Sequence, residues 1–266
     1  MLIAQVSDLH MTPRHVLAQG KVETRTRLET VIDDLNNRMP RPDLVLFTGD
    51  LADNKNPESY DILKEILTGL QVPFFVIPGN HDSRAEIRRV FPDHPGRENS
   101  EFIQYVIDGY PVRLIAVDTL DDTSDKGLMT EKKLAWLDNT LRAEPQKPTL
   151  LFMHHPPFDS GIVEMDFYGL VGREALADVV RPHKQIVRIL CGHLHRVIYT
   201  MWEGIPTSIA PSPSFSQAFS LAGQGPEGFT VEAPKYELHL WTGSTFITHM
   251  VSLEPGSGPF PYPDVA

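Results

Sequence analysis

Two histidines separated by one residue, His193 and His195, close the apolar run IVRILCGHLH. Imidazole is the commonest protein ligand for transition metals, and a buried ring without a partner costs free energy. Gly192 frees the backbone to turn, which puts the pair where a strand passes into a loop. An isolated H-x-H is ordinarily no more than loop, so its meaning depends on matching groups elsewhere. They are present. Asp8 and His10 follow LIAQV, Asp50 follows LVLFTG, Asn80 follows VPFFVIPG, and His154 with His155 follows LLFM. Each fragment alone is turn or capping chemistry. Collectively they put carboxylate, imidazole and amide oxygen at one end of most apolar runs, where α/β proteins gather their ligand groups. Such a set without thiolate suits manganese, iron, zinc or cobalt, and the residues do not choose among them. Alternation along a strand would aim His193 and His195 to one side, whereas a loop could present them to neighbouring metals.

The elements that position these groups follow from periodicity. Short apolar runs at LIAQV, LVLF, VPFFVI, LLFM and IVRILC read as buried strands. The stretch from Lys21 to Met39 spaces Val22, Leu28, Val31, Ile32 and Leu35 as a helix does. PESYDILKEILTGL, SRAEIRRVF and REALADVVR are further helices, and TEKKLAWLDNTLRAE is one with Thr130 as N-cap. EFIQYVIDGYPVRLIAVD and YELHLWTGSTFITHMVSL read as hairpins, turning at Gly109-Tyr110-Pro111 and Thr242-Gly243-Ser244. Strands alternating with helices, plus hairpins, give an α/β fold with mixed sheets. Residues 1–253 are expected to form one catalytic domain. Within it, 206–234, rich in Pro, Ser, Gly and Phe, reads as a long loop or cap excursion, and 254–266 is a proline-rich tail.

The chain has 266 residues, enough for a substantial core, and its 41% hydrophobic and 22% charged content is that of a soluble protein. No run approaches a membrane span, and MLIAQVSDLH lacks the features of a signal peptide, so a cytoplasmic protein without membrane association is expected. A net charge of -11 and the absence of a basic stripe argue against binding nucleic acid polymers. The single cysteine, Cys191, reads as a small buried hydrophobe.

The order D-x-H, G-D, G-N-H-D, H-H-P, G-H-x-H from Asp8 to His195 resembles the calcineurin-like metallophosphoesterase family. VSDLH, TGDL, IPGNHD and MHHPP are most similar to its bacterial class III cyclic nucleotide phosphodiesterase and glycerophosphodiesterase branch. The resemblance implies two mixed β-sheets sandwiched between helices and two divalent metal ions per chain. Asp8, His10, Asp50 and His195 would hold one ion, and Asp50, Asn80, His154 and His193 the other, with Asp50 bridging. It further implies hydrolysis of small phosphodiesters, such as 3',5'-cyclic AMP or glycerophosphodiesters, by attack of a metal-bound hydroxide on phosphorus. His81 would face the substrate with Asn80, protonating the leaving oxygen or stabilising phosphoryl charge, and Asp82 would orient its ring.

Other readings stand beside this one. A phosphomonoesterase or protein phosphatase shares the fold, and a metal-free scaffold would keep the fold while losing ligands, whereas here every ligand position is filled. The family places the ligand at the first histidine of the doublet, so His155 is expected to pack or to hold backbone. Asp53 and Asp118 suit either support of the site or plain turn chemistry. Some relatives carry a further histidine after the last ligand, and APSPSFSQAFS has none. Phe215 or Phe219 could line the pocket or form a core or subunit contact. The 206–234 segment and the tail suggest a homo-oligomer.

Overall fold

The computed structural model describes residues 1–97 and 101–254. The first half of the chain lays down β1 (Leu2–Val6), α1 (Thr24–Asn37), β2 (Leu44–Phe47), α2 (Pro57–Leu67), β3 (Phe74–Val76), α3 (Arg84–Val90), β4 (Tyr105–Ile107) and β5 (Arg113–Val117). Next come β6 (Gly127–Leu128), α4 (Glu131–Ala143), β7 (Thr149–Met153), α5 (Val163–Asp166), β8 (Leu170–Val171), α6 (Arg173–Val180) and β9 (Ile186–Cys191). The chain continues through β10 (Ile198–Trp202), β11 (Ile205–Ile209), β12 (Ser216–Gln217), β13 (Phe229–Thr230), β14 (Lys235–Trp241) and β15 (Phe246–Ser252).

Two mixed sheets form, in the orders β15-β14-β1-β2-β3 and β10-β11-β9-β7-β5-β4. They stack through Val6, Phe47, Ala116, Phe152 and Leu190, with α1 and α2 packed outside the first sheet. Alternate residues Ile115, Val117, Leu151 and Ile189 face the other way, where Leu137 and Leu141 of α4 and Leu176 of α6 cover them. This is the sandwich of two mixed sheets between helices. Thr130 caps α4 by accepting from Lys133 N, as its position predicts. Both expected hairpins form. Among the described residues no helix is long and apolar enough to cross a membrane.

One reading of the sequence is corrected. The segment beginning at Pro206 does not leave the core at once, because β11 pairs in parallel with β9 through Thr207, Ser208 and Ile209. Its proline-containing composition hides a strand in which every residue but Pro206 is buried. The tail beyond Glu254 lies outside the described residues.

Candidate metal centre

β1, β2, β7 and β9 run parallel in their sheets, so their C-terminal ends meet at one edge of the sandwich. The loops there are drawn tight. Asp8 N donates to Gly49 O at 3.0 Å and His10 N to Asp50 O at 2.9 Å, carrying the β1–β2 pairing past the strand ends. Asp8 (φ 58°), His10 (46°), Asp50 (48°), His193 (77°) and His195 (53°) all adopt the left-handed conformation that side chains with a Cβ avoid. Strain concentrated on five such residues is characteristic of a site whose geometry is enforced by its surroundings. Gly192 serves differently from the expected turn. Its φ is not positive, but a Cβ there would lie 2.0 Å from Ser7 Oγ and 2.8 Å from Thr48 O, so only glycine lets β9 approach the β1 and β2 ends.

Asp8, His10, Asp50 and His195 form one cluster, each offering a ligand atom within 4.8 Å of the others. His10 Nε2 and His195 Nε2 are 3.0 Å apart. Asp8 Oδ1 lies 3.4 Å from His195 Nε2, and Asp50 Oδ2 lies 3.6 Å from His10 Nε2. The same Asp50 oxygen is 3.3 Å from His154 Nε2. Asn80 Oδ1 completes a second group, 3.2 Å from His154 Nε2 and 3.1 Å from His193 Nδ1. The structure therefore brings together all seven expected ligands, with Asp50 between the two groups.

The far side of each ring fixes which nitrogen is free. His10 Nδ1 donates to the Asp53 carboxylate at 3.0 Å, His195 Nδ1 to the Phe215 carbonyl at 3.0 Å and His154 Nδ1 to the Thr48 carbonyl at 2.8 Å. Each of these acceptors can only accept, so in its neutral form each ring turns an Nε2 lone pair into the cluster. Two facing lone pairs at 3.0 Å repel unless a proton or a cation lies between them. Burial, reinforced by His10, holds His195 well below the usual imidazole range. Burial also opposes charge on His10, but Asp53, Asp50 and Asp8 outweigh it and raise that ring, so with no cation between the rings the proton belongs to His10. Burial pushes Asp8 up to about 6, partly offset by His154. Burial opposes charge on His154 too, but Asp50 outweighs it and pushes the ring up to about 9, while Asp50 itself is held well below the carboxylate range. Buried carboxylates and lone pairs converging on two points fit a pair of divalent cations.

The supporting residues divide as follows. His155 is buried and fully engaged: it accepts from Thr119 Oγ1 through Nδ1 at 2.8 Å and donates from Nε2 to Asp125 O at 3.3 Å. Its ring packs 4.6 Å from that of His193, and burial keeps it neutral. His81 donates its backbone N–H to Asp50 Oδ1 at 2.9 Å and its Nδ1–H to Asp53 O at 2.7 Å, leaving Nε2 free. Asp82 does not orient that ring, contrary to expectation. Its carboxylate instead accepts from the N–H groups of Leu51, Ala52 and Gly79 and from Tyr60 Oη at 2.9 Å, pinning the β2 and β3 loops to each other. A carboxylate following a histidine carries no sequence signal of which backbone it will bind. Asp118 joins α3 to β5 by accepting from Arg84 Nε and Nη2, away from the ligands. Phe215 is buried 4.5 Å from the His195 ring, whereas Phe219 is 59% exposed beneath Arg196 and lines no part of the cavity.

A cavity of about 200 Å³ opens over the cluster, with His81, Tyr168, Phe215 and Gln217 in its walls. Sequence reasoning left out Tyr168 and Gln217, as it did the Thr48 and Phe215 carbonyls. Backbone acceptors have no residue-type signature, and Tyr168 arrives from a loop that no motif marks.

Comparison with known proteins agrees with this geometry. Residues 1–197 match the family model described as calcineurin-like phosphoesterase. A probable glycerophosphodiester phosphodiesterase GpdQ of Arcobacter nitrofigilis is 39% identical over 98% of this chain and 97% of its own. A probable cyclic nucleotide phosphodiesterase of Rhodopseudomonas palustris is 34% identical over 85% of each chain. The crystal structure of a dimetal phosphatase from Danio rerio shares the fold, with a TM-score of 0.64 at 14% identity over 93% of this chain and 98% of that one. The chain belongs to the calcineurin-like phosphoesterase family, and within it is similar to the glycerophosphodiester and cyclic nucleotide phosphodiesterases.

Proposed function

We propose that this protein hydrolyses small phosphodiesters, with 3',5'-cyclic AMP and glycerophosphodiesters as the substrates to test first. The observation that carries the reading is one carboxylate oxygen, Asp50 Oδ2, set 3.6 Å from His10 Nε2 on one side and 3.3 Å from His154 Nε2 on the other. Asp8, His10, Asp50 and His195 would hold one cation and Asp50, Asn80, His154 and His193 the second, with manganese, iron, zinc and cobalt all suited to the donors. When bound, such a pair polarises a phosphoryl group and supplies a nucleophile at neutral pH.

The chain's own residues do the remainder. Asp53 and the Phe215 and Thr48 carbonyls hold the ligand rings in the required tautomer. His81, anchored through Nδ1 by Asp53 O, presents Nε2 to the cavity, where a proton carried on that nitrogen in the doubly protonated ring can pass to the departing oxygen. The Asp50 carboxylate is shared: Oδ2 lies between the ligand nitrogens of His10 and His154, and Oδ1 accepts from the His81 backbone N–H, so one group ties the acid to the metal centre. The decisive experiment measures metal content and hydrolysis of cyclic AMP, glycerophosphodiesters and bis(p-nitrophenyl) phosphate before and after chelation. Activity restored by added divalent metal is the expected result; full activity in stripped protein would refute the reading. A homo-oligomer remains part of this proposal, tested by light scattering of the full chain.

A further inference from the structure

We propose that Asp125 sets the charge selectivity of the cavity over the metal centre, favouring singly charged phosphodiesters over doubly charged phosphomonoesters. The inference rests on the hydrolytic reading above and names the class of phosphate ester that the same site disfavours.

The wall of that cavity holds neither lysine nor arginine among the described residues. Its histidines are the ligand rings of His10, His193 and His195 and the acid His81. Gln19, Met165, Tyr168, Phe215 and Gln217 are neutral. Beside the shared Asp50, the charged residue that remains in the wall is Asp125.

Two cations border the cavity, and both are turned away from it. Lys126, next to Asp125, places Nζ 4.4 Å from the centroid of the Phe167 ring. Arg196 donates from Nη1 to Gln217 O at 2.8 Å and sets its guanidinium 5.1 Å from the centroid of the Phe219 ring. Phe167 and Phe219 are both exposed, so each ring holds its cation on the outer surface. The sequence thus supplies positive charge beside the site, and the fold diverts it.

Asp125 is placed by its backbone. Its carbonyl accepts from His155 Nε2 at 3.3 Å, and the His155 ring packs 4.6 Å from that of His193. The residue is exposed, and among the described residues its carboxylate makes no hydrogen bond or ion pair. No partner neutralises it. The side chain is short, so no rotamer carries the charge far from the cavity wall. A phosphodiester brings one negative charge into this space, and an ionised monoester brings two. Sites built for the second charge meet it with arginine or lysine, whereas here it meets a carboxylate. Coulombic repulsion scales with the charge of the substrate, so Asp125 opposes the monoester twice as strongly as the diester.

The test compares p-nitrophenyl phosphate with ethyl p-nitrophenyl phosphate, a monoester and a diester sharing one leaving group, on the metal-loaded protein. Asp125→Asn should raise kcat/KM for the monoester over that for the diester by about three- to tenfold, the effect of one partly screened charge. Asp125→Ala should do the same, and Asp125→Glu, which keeps the charge, should keep the wild-type ratio. Calorimetry with two anions that are not hydrolysed gives a second readout. At alkaline pH methylphosphonate, doubly charged, should gain affinity in Asp125→Asn over dimethylphosphinate, singly charged, by a similar factor. Because the side chain has no partner, Asp125→Asn should melt with the wild type. A ratio unmoved in either measurement would overturn the proposal, as would Asp125→Glu shifting it as far as Asp125→Asn, which would show shape rather than charge. Diester turnover with an unmoved ratio removes Asp125 alone. Absence of diester turnover with metals bound refutes the hydrolytic reading instead, and the pair of anions still decides the role of Asp125.

Discussion

The Nε2 atoms of His10 and His195, contributed by loops 185 residues apart, face each other at 3.0 Å. Each ring is fixed from behind by an acceptor, Asp53 for His10 and the Phe215 carbonyl for His195. Replacing Asp53 with Ala should free the His10 tautomer and weaken metal binding by about 10–100-fold. Activity should return at high metal concentration. Metal titration checks this, and unchanged affinity would show that packing alone orients the ring.

Asp50→Asn removes the charge that both groups of ligands share, and a neutral amide bridges two cations poorly. Both metals should be lost or greatly weakened, whereas Asn80→Ala, which removes the Oδ1 facing His154 and His193, should weaken mainly one. Elemental analysis after dialysis distinguishes the two outcomes. Two metals retained at full affinity in Asp50→Asn would remove Asp50 as the bridge.

His81→Ala should keep its metals, because the ring's Nδ1 is spent on Asp53 O and its backbone N–H on Asp50. Turnover of diesters with poor leaving groups should fall by roughly 10²–10⁴-fold. Bis(p-nitrophenyl) phosphate, whose leaving group departs without a proton, should slow far less. Equal slowing of both would assign His81 to phosphoryl charge instead.

Glu237 lies between the sheets with Tyr199 Oη donating to one carboxyl oxygen at 2.6 Å and the other oxygen unpartnered. Burial pushes it up to about 7, against the opposing effects of Tyr199 and Arg188. A folded value above the unfolded one means the folded state keeps a proton that the unfolded chain has released. Its contribution is therefore full below about pH 4.5 and is lost as pH rises to 7, by roughly 3 kcal/mol at about 1.4 kcal/mol per unit. Glu237→Gln should flatten this part of the profile and raise the melting temperature at pH 8 while leaving it nearly unchanged at pH 4. Parallel pH profiles for the two proteins would disprove the burial of that proton.

Residue type and order determined much of this protein. The five apolar runs, the helices between them and the ligand-type residues at their ends were legible because alternation, 3.6-residue spacing and metal-binding chemistry are local properties of the chain. The strand at Ile205–Ile209 was not, since its sequence contains a proline and its burial comes from pairing with β9. Only the tertiary structure decided that Asp82 braces two loops rather than the His81 ring, and that Asp53 serves the site while Asp118 anchors α3. It alone set the tautomers, through the carbonyls of Thr48 and Phe215, which any residue would carry. The sequence names the groups that can bind. Which atom of each faces the metals depends on backbone brought in from far along the chain, and no local pattern encodes it.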